Sequence, residues 1–315
     1  MVQVVEGAFE VDGVSLFTKT WLPDEPPKAK MVMFHGFSDH IDRYYDFFPS
    51  LARRGIAVYG LDQRGWGRSA PNHADKGRTG PTSRVLADMA VFIQHALAAP
   101  PRQDVPLFVL GHSMGGGQVL TLASTPEYRA DVVSRVRGWI LESPFLGFAP
   151  ELQPSALTIA SGRLASHVVP LFKLHRPVPP TDLTRDPEVR RSIAADPLLH
   201  NYGTLEGLAG MLDRTAALAS GAIQPDGRAM RSLLLAHGSA DKVTSFDKAK
   251  DWFEGIGRPA VGDDATFRPY EGMYHQMHAD YGKEDFYRDV GDWILARCDG
   301  GEDAAAYAPA PESKL

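Results

Sequence analysis

A chain of 315 residues, 43% of them hydrophobic, is long enough to bury a sizeable core, as one large domain with an insertion or as two small ones. Its net charge of −6 gives no electrostatic basis for nucleic-acid binding, and the single cysteine, Cys298, excludes an internal disulfide. The opening residues lack a charged-then-apolar leader, no Asn-x-Ser/Thr acceptor occurs, and no apolar run is long enough to span a membrane, so a cytoplasmic enzyme is expected.

Residues 2–11 and 14–21 are rich in β-forming side chains and meet at Asp12-Gly13, the dipeptide that a two-residue hairpin turn requires. After a Pro-rich turn, the apolar run Lys30 to Phe34 ends in His35-Gly36-Phe37-Ser38 and reads as a strand. Tyr44, Phe47, Phe48 and Leu51 then fall at helical spacing until Gly55, and Ile56 to Leu61 is the next buried strand. Val85 to Leu97 places Leu86, Met89, Phe92, Ile93 and Leu97 on one helical face and leads to a strand over Leu107 to Leu110. There follows Gly111-His112-Ser113-Met114-Gly115, and then the start of a helix at Gln118. A G-x-S-x-G turn between strand and helix is a nucleophile elbow, in which a strained backbone lifts the serine oxygen above the sheet edge. A phosphate loop would end in Gly-Lys-Ser/Thr, whereas Gly117 is followed by Gln118.

Gly138 to Leu141 adds a strand, after which nothing before Ser232 reads as one. Residues 154–174 carry Leu157, Ala160, Leu164, Val168 and Leu171 near one helical face, residues 203–218 repeat the pattern, and a Pro-rich connector, 177–187, separates them. We read 146–226 as a helical cap inserted over the strand ends, with 1–145 and 227–298 forming the core. The core resumes with a strand Ser232 to Ala236, a helix 245–254, a strand Thr266 to Tyr270 and a helix Asp285 to Arg297. The tail 299–315 has the composition of a disordered segment. Strands alternating with helices predict a mostly parallel sheet flanked on both faces by helices, with ligands at the carboxyl ends of the strands.

A serine hydroxyl at neutral pH needs a base, and the base needs a carboxylate to hold its tautomer. In α/β-hydrolases these follow in the order Ser, Asp or Glu, His. The strand ending at Ala236 is followed by His237-Gly-Ser-Ala-Asp241, and that ending at Tyr270 by Glu271-Gly-Met-Tyr-His275, which places Asp241 and His275 in the required loops. His278 is the rival base and Glu142, at the end of the strand before the cap, the rival acid. His275 and His278 lack the His-Glu-x-x-His frame of a metal site. The oxyanion requires two backbone amides, from the residue after the nucleophile, Met114, and from the turn after the first parallel strand, Phe37.

With these residues placed, the chain resembles the monoacylglycerol lipase family of serine α/β-hydrolases, and most of all its fungal members, over residues 9–297. The matching blocks are His35-Gly-Phe-Ser-Asp-His40, Leu61-Asp-Gln-Arg-Gly-Trp-Gly-Arg-Ser69, Gly111 to Gly117, Thr184-Arg-Asp-Pro-Glu-Val189, Ala195-Asp-Pro-Leu-Leu-His200, His237 to Val243 and Tyr270 to His278. The two cap blocks are the specific ones. The family pattern gives Ser113, Asp241 and His275 the triad and the Phe37 and Met114 amides the oxyanion hole. It implies a substrate that is a glycerol ester of one long fatty acid, and neither metal nor organic cofactor. A broader carboxylesterase or lysophospholipase would use the same residues, and a non-catalytic ligand-binding relative is the remote alternative. The chain departs from the family at Ser38, where glycine is usual, and at Glu142, where a small residue is usual. A substrate held in membranes or lipid droplets calls for a lipid-facing surface. The apolar stripe of 157–172, with Arg163, Lys173, His175 and Arg176 beside it, either supplies that peripheral contact or packs down onto the sheet.

Overall fold

The computed structural model describes residues 2–100 and 103–298, and the expectation for the tail 299–315 lies outside them. Among the described residues ten strands form: β1 (Gln3–Val11), β2 (Val14–Leu22), β3 (Ala29–Phe34), β4 (Ile56–Leu61), β5 (Leu107–His112), β6 (Gly138–Glu142), β7 (Lys173–His175), β8 (Tyr202–Thr204), β9 (Leu233–Gly238) and β10 (Ala265–Tyr270). Eight of them make one sheet in the order β1-β2-β4-β3-β5-β6-β9-β10. From β4 to β10 all neighbours are parallel, and the β1–β2 hairpin joins antiparallel at one edge. Asp12 (φ 47°) and Gly13 (φ 70°) are both left-handed, the type I′ turn that a right-twisting hairpin requires.

Ten α-helices form among the described residues: α1 (Phe47–Arg53), α2 (Thr82–Ala98), α3 (Met114–Ala123), α4 (Ala156–Val168), α5 (Pro180–Leu183), α6 (Pro187–Ala195), α7 (Leu205–Ala219), α8 (Phe246–Trp252), α9 (Arg258–Val261) and α10 (Lys283–Leu295). Successive strand residues face opposite layers. Val32, Phe34 and Val109 pack with α2, α3 and α8, whereas Met31, Met33 and Phe108 pack with α1 and α10. Every residue of β3, β4, β5, β6 and β9 is therefore buried, which is why these strands read as unbroken apolar runs. Truncating a fully buried side chain such as Phe108 to Ala would cost about 3–5 kcal/mol.

Lys30, in β3, looks out of place among apolar residues. Its Nζ donates to the carbonyls of Ala96 (2.9 Å), Leu97 (3.3 Å) and Ala99 (2.5 Å), closing the C-terminal end of α2 and tying that helix to the sheet.

Between β6 and β9 the chain leaves the sheet, and here the sequence reading needs correction. Strands are present: β7 and β8 pair antiparallel, Lys173 with Thr204 and His175 with Tyr202. The Pro-rich connector holds the short helix α5 and leads into α6, whose cap Asp186 accepts hydrogen bonds from the Glu188 and Val189 amides and whose first residue is Pro187. The first apolar helix ends at Val168, and it has no buried residue. Its stripe does not pack onto the sheet: Leu157, Leu164 and Val168 are 78%, 72% and 74% exposed.

Candidate active site

Ser113 sits between the end of β5 and the start of α3 with φ 54° and ψ −118°, a conformation that costs a non-glycine residue energy. Its neighbours enforce it. A Cβ on Gly115 would lie 2.1 Å from the Phe34 carbonyl oxygen and one on Gly111 2.6 Å from that of Gly115, so helix and strand approach as closely as glycine alone permits. The Ser113 amide donates to Glu142 (2.9 Å) and its carbonyl accepts from Phe145 (2.9 Å), locking the turn against β6.

Asp241 and His275 come together in the loops after β9 and β10, with His275 Nδ1 donating to Asp241 Oδ2 at 2.8 Å. The carboxylate also accepts from the Val243 amide (2.7 Å), the Thr244 amide (3.0 Å) and Thr244 Oγ1 (2.7 Å). Burial alone would raise the Asp241 pKa, but the His275 charge, the hydrogen bond to it, His237 and the Val243 amide outweigh burial and hold it well below the usual carboxylate range. A carboxylate accepting at Nδ1 fixes the tautomer that leaves Nε2 as the basic nitrogen. The His275 ring lies 4.9 Å from that of His112, the residue before Ser113, which places it over the elbow.

The turn carrying Phe37 is held from several sides. His35 Nε2 accepts from the Gln63 amide (2.9 Å) and the Gln63 side chain donates back to the His35 carbonyl (2.7 Å). Burial pushes the His35 pKa down to about 4, so it stays neutral in this role. A Cβ on Gly36 would lie 3.2 Å from the Ser113 Cβ, which puts the following Phe37 beside the elbow. Ser38 takes φ 49°, the left-handed conformation that suits the glycine usual there, and its Oγ accepts from the Asn201 amide at 2.8 Å. Met114 is the first residue of α3, where helical amides have no partner within the helix.

The rival residues are brought together elsewhere. Glu142 Oε1 accepts from His278 Nδ1 (2.7 Å) and from the His278 amide (3.1 Å), making a second, fully buried acid–imidazole pair. Burial above all raises the Glu142 pKa to about 7 and lowers that of His278 to about 3. The donor atoms of His112, Glu142 and His278 lie within 4.8 Å of one another, the metal-like cluster found among the described residues. His278 spends Nδ1 on Glu142 and stacks on Tyr44 at 4.2 Å, which fits a buried polar network. Sequence reasoning singled out both residues but not their pairing, since 136 positions separate them.

Phe37, Ser113 and Met114 line one cavity of about 380 Å³. Its walls come from Thr158, Ile159 and Gly162 of α4 and Leu208, Met211 and Leu212 of α7, making it a mostly apolar chamber with a few polar groups among its lining.

A strained serine at the carboxyl end of a parallel sheet, approached by an imidazole and a carboxylate from later strand ends, defines a serine hydrolase of the α/β-hydrolase class. Residues 25–282 match the family described as serine aminopeptidase, S33. The chain is 34% identical over 286 residues to the Schizosaccharomyces pombe protein named "Putative monoglyceride lipase", covering 89% of this chain and 71% of that one. It is 27% identical over 293 residues to the monoacylglycerol lipase of Mycolicibacterium smegmatis, with 91% and 95% covered. Its fold matches the crystal structure of a soluble variant of the Saccharomyces cerevisiae monoglyceride lipase in complex with a substrate analogue, with a TM-score of 0.83 at 20% identity, over 92% and 94% of the two chains. The chain belongs to the monoglyceride lipase family.

Proposed function

We propose that the protein hydrolyses monoacylglycerols to glycerol and a free fatty acid through an acyl-enzyme. Ser113 attacks the ester carbonyl while His275 Nε2 takes its proton and passes it to the departing glycerol oxygen; Asp241 holds His275 and stabilises the imidazolium. The Phe37 and Met114 amides receive the oxyanion. Water, activated by His275, then releases the fatty acid and regenerates the serine. Residues 146–226 act as the cap over this site.

The observation that carries this reading is the mostly apolar chamber of about 380 Å³ that Ser113 lines, suited to one acyl chain with the ester at Ser113. The relatives named for monoacylglycerols support the same substrate. Rates on mono-, di- and triacylglycerols and on short-chain esters test it: monoacylglycerol should be preferred to triacylglycerol, and a short ester turned over faster than any monoacylglycerol would favour a general carboxylesterase.

The cap also supplies a way for an insoluble substrate to arrive. One face of α4 lines the chamber through Thr158, Ile159 and Gly162, while Leu157, Leu164 and Val168 project from the opposite side into solvent. Leu171 and Phe172, 50% and 58% exposed, extend this patch. Apolar area concentrated beside a lipid-binding chamber supports peripheral docking on a membrane or droplet. No helix among the described residues is long and apolar enough to cross a membrane.

A further inference from the structure

Two cap motifs prominent in the sequence, Thr184-Arg185-Asp186-Pro187 and Ala195-Asp196-Pro197-Leu198, do not line the chamber and take no part in the chemistry above. The first meets the segment that carries His275. Asp280 is 1% exposed, and both its oxygens are engaged across that turn. Oδ1 accepts from the amides of Arg185 (2.8 Å) and Tyr281 (2.9 Å), and Oδ2 from Arg185 Nε (2.9 Å) and the Tyr274 amide (2.8 Å). Tyr274 directly precedes His275. Gln276, which directly follows it, donates its amide to the Leu183 carbonyl at 2.8 Å, and Thr184 Oγ1 donates to the Ala279 carbonyl at 2.8 Å. The backbone on each side of His275 is thus fastened to residues 183–185, on one side through Asp280 and on the other directly.

The second motif fastens the same arm to the oxyanion turn. Asp196 Oδ2 meets His40 Nε2 at 2.9 Å and Arg43 Nη1 at 3.5 Å. Residues 183–201 are therefore anchored at both ends to the loops that carry the site, unlike α4, which buries nothing.

We infer that Arg185 and Asp280 are a positioning pair for His275, and that this arm of the cap is a fixed brace rather than a moving lid. The inference rests on His275 being the base. The bond from Nδ1 to Asp241 holds one end of the imidazole and leaves rotation about that axis free. Fixing the backbone at 274 and 276 restricts that freedom, and with it the direction in which Nε2 points. A buried carboxylate must be paired, and Arg185 is the cation that pairs Asp280. Without the Arg185 guanidinium, the Asp280 carboxylate keeps the residue-185 amide but loses the Nε donor and its countercharge, and its hold on the Tyr274 amide loosens. Misplacing a reacting group by about 1 Å costs on the order of 100-fold in rate.

The test compares native protein with Arg185→Ala and Arg185→Lys on p-nitrophenyl butyrate, a soluble ester that makes little use of the acyl chamber. Arg185→Ala should lower kcat by about 10- to 100-fold with KM nearly unchanged. Arg185→Lys should recover part of the loss, as should guanidinium added to Arg185→Ala at a non-denaturing concentration, since the Arg185 side chain is 32% exposed and its place can be reached from solvent. An unchanged kcat would overturn the inference. So would a loss that only tracks a smaller folded fraction, with a lowered Tm and no rescue. His275→Ala measured alongside separates the two readings: if it stays active the base is misassigned, whereas an inactive His275→Ala beside a fully active Arg185→Ala removes the positioning role alone.

Discussion

Replacing Leu157 and Leu164 by Ser should uncouple lipid docking from chemistry. Both side chains project from α4 into solvent, 78% and 72% exposed, and neither lines the chamber. Complete burial of a leucine is worth about 2 kcal/mol, so the exposed fractions of the pair can contribute about 3 kcal/mol when sunk into lipid. That corresponds to roughly a hundredfold in partitioning. Because the side chains make few contacts within the protein, the double variant should melt within a degree or two of the native protein. The assay is co-sedimentation with phosphatidylcholine vesicles, together with turnover of a vesicle-borne long-chain monoacylglycerol and of p-nitrophenyl butyrate. Vesicle binding and vesicle-borne turnover should fall together while the soluble ester is unaffected. Equal loss on both substrates with a lowered Tm would show that these leucines stabilise the fold and would refute the docking argument.

Further expectations follow from the geometry around the elbow. Ser113→Ala should abolish labelling by a fluorophosphonate probe, and Asp241→Asn should lower kcat by about 10⁴-fold with the fold intact; near-normal activity in Asp241→Asn beside loss in Glu142→Gln would reassign the acid. Gly115→Ala forces a Cβ to within 2.1 Å of a backbone oxygen and should destabilise by about 2 kcal/mol or more in urea unfolding; an unperturbed midpoint would mean the elbow is looser than described. Glu142 holds its proton more tightly when folded, pKa about 7 against 4.5, so its contribution is fully present below pH 4.5 and is lost as pH rises to 7, a change of up to about 3 kcal/mol. Glu142→Gln should therefore gain stability over the native protein as pH rises across that window, read by urea unfolding at pH 4.5 and 7.5; parallel curves would contradict it.

The sheet was legible in the sequence because burial on both faces writes β3, β4, β5, β6 and β9 as apolar runs, and because the hairpin turn and the elbow each demand particular residues. The loops after β9 and β10 carried the spacing that pointed to Asp241 and His275, which the fold brings to 2.8 Å. What escaped is made by contacts distant in sequence. The α5 helix and the β7–β8 pair are too short for periodicity to reveal, and they exist because segments between β6 and β9 that are distant in sequence pack against one another. The direction of the α4 stripe could not be read either, since an apolar helical face looks the same whether it meets a sheet, a ligand or solvent. The Arg185–Asp280 contact joins positions 95 apart, and nothing in either local motif announces it.

The central claim, that Ser113 carries monoacylglycerol hydrolysis, is tested most directly by titrating the protein with a fluorophosphonate while following both the adduct mass and the residual activity on a long-chain monoacylglycerol. The account predicts a single adduct, on the peptide containing Ser113, with activity falling in proportion to its formation. Complete modification of Ser113 with monoacylglycerol hydrolysis persisting, or loss of that activity through an adduct elsewhere, would contradict it.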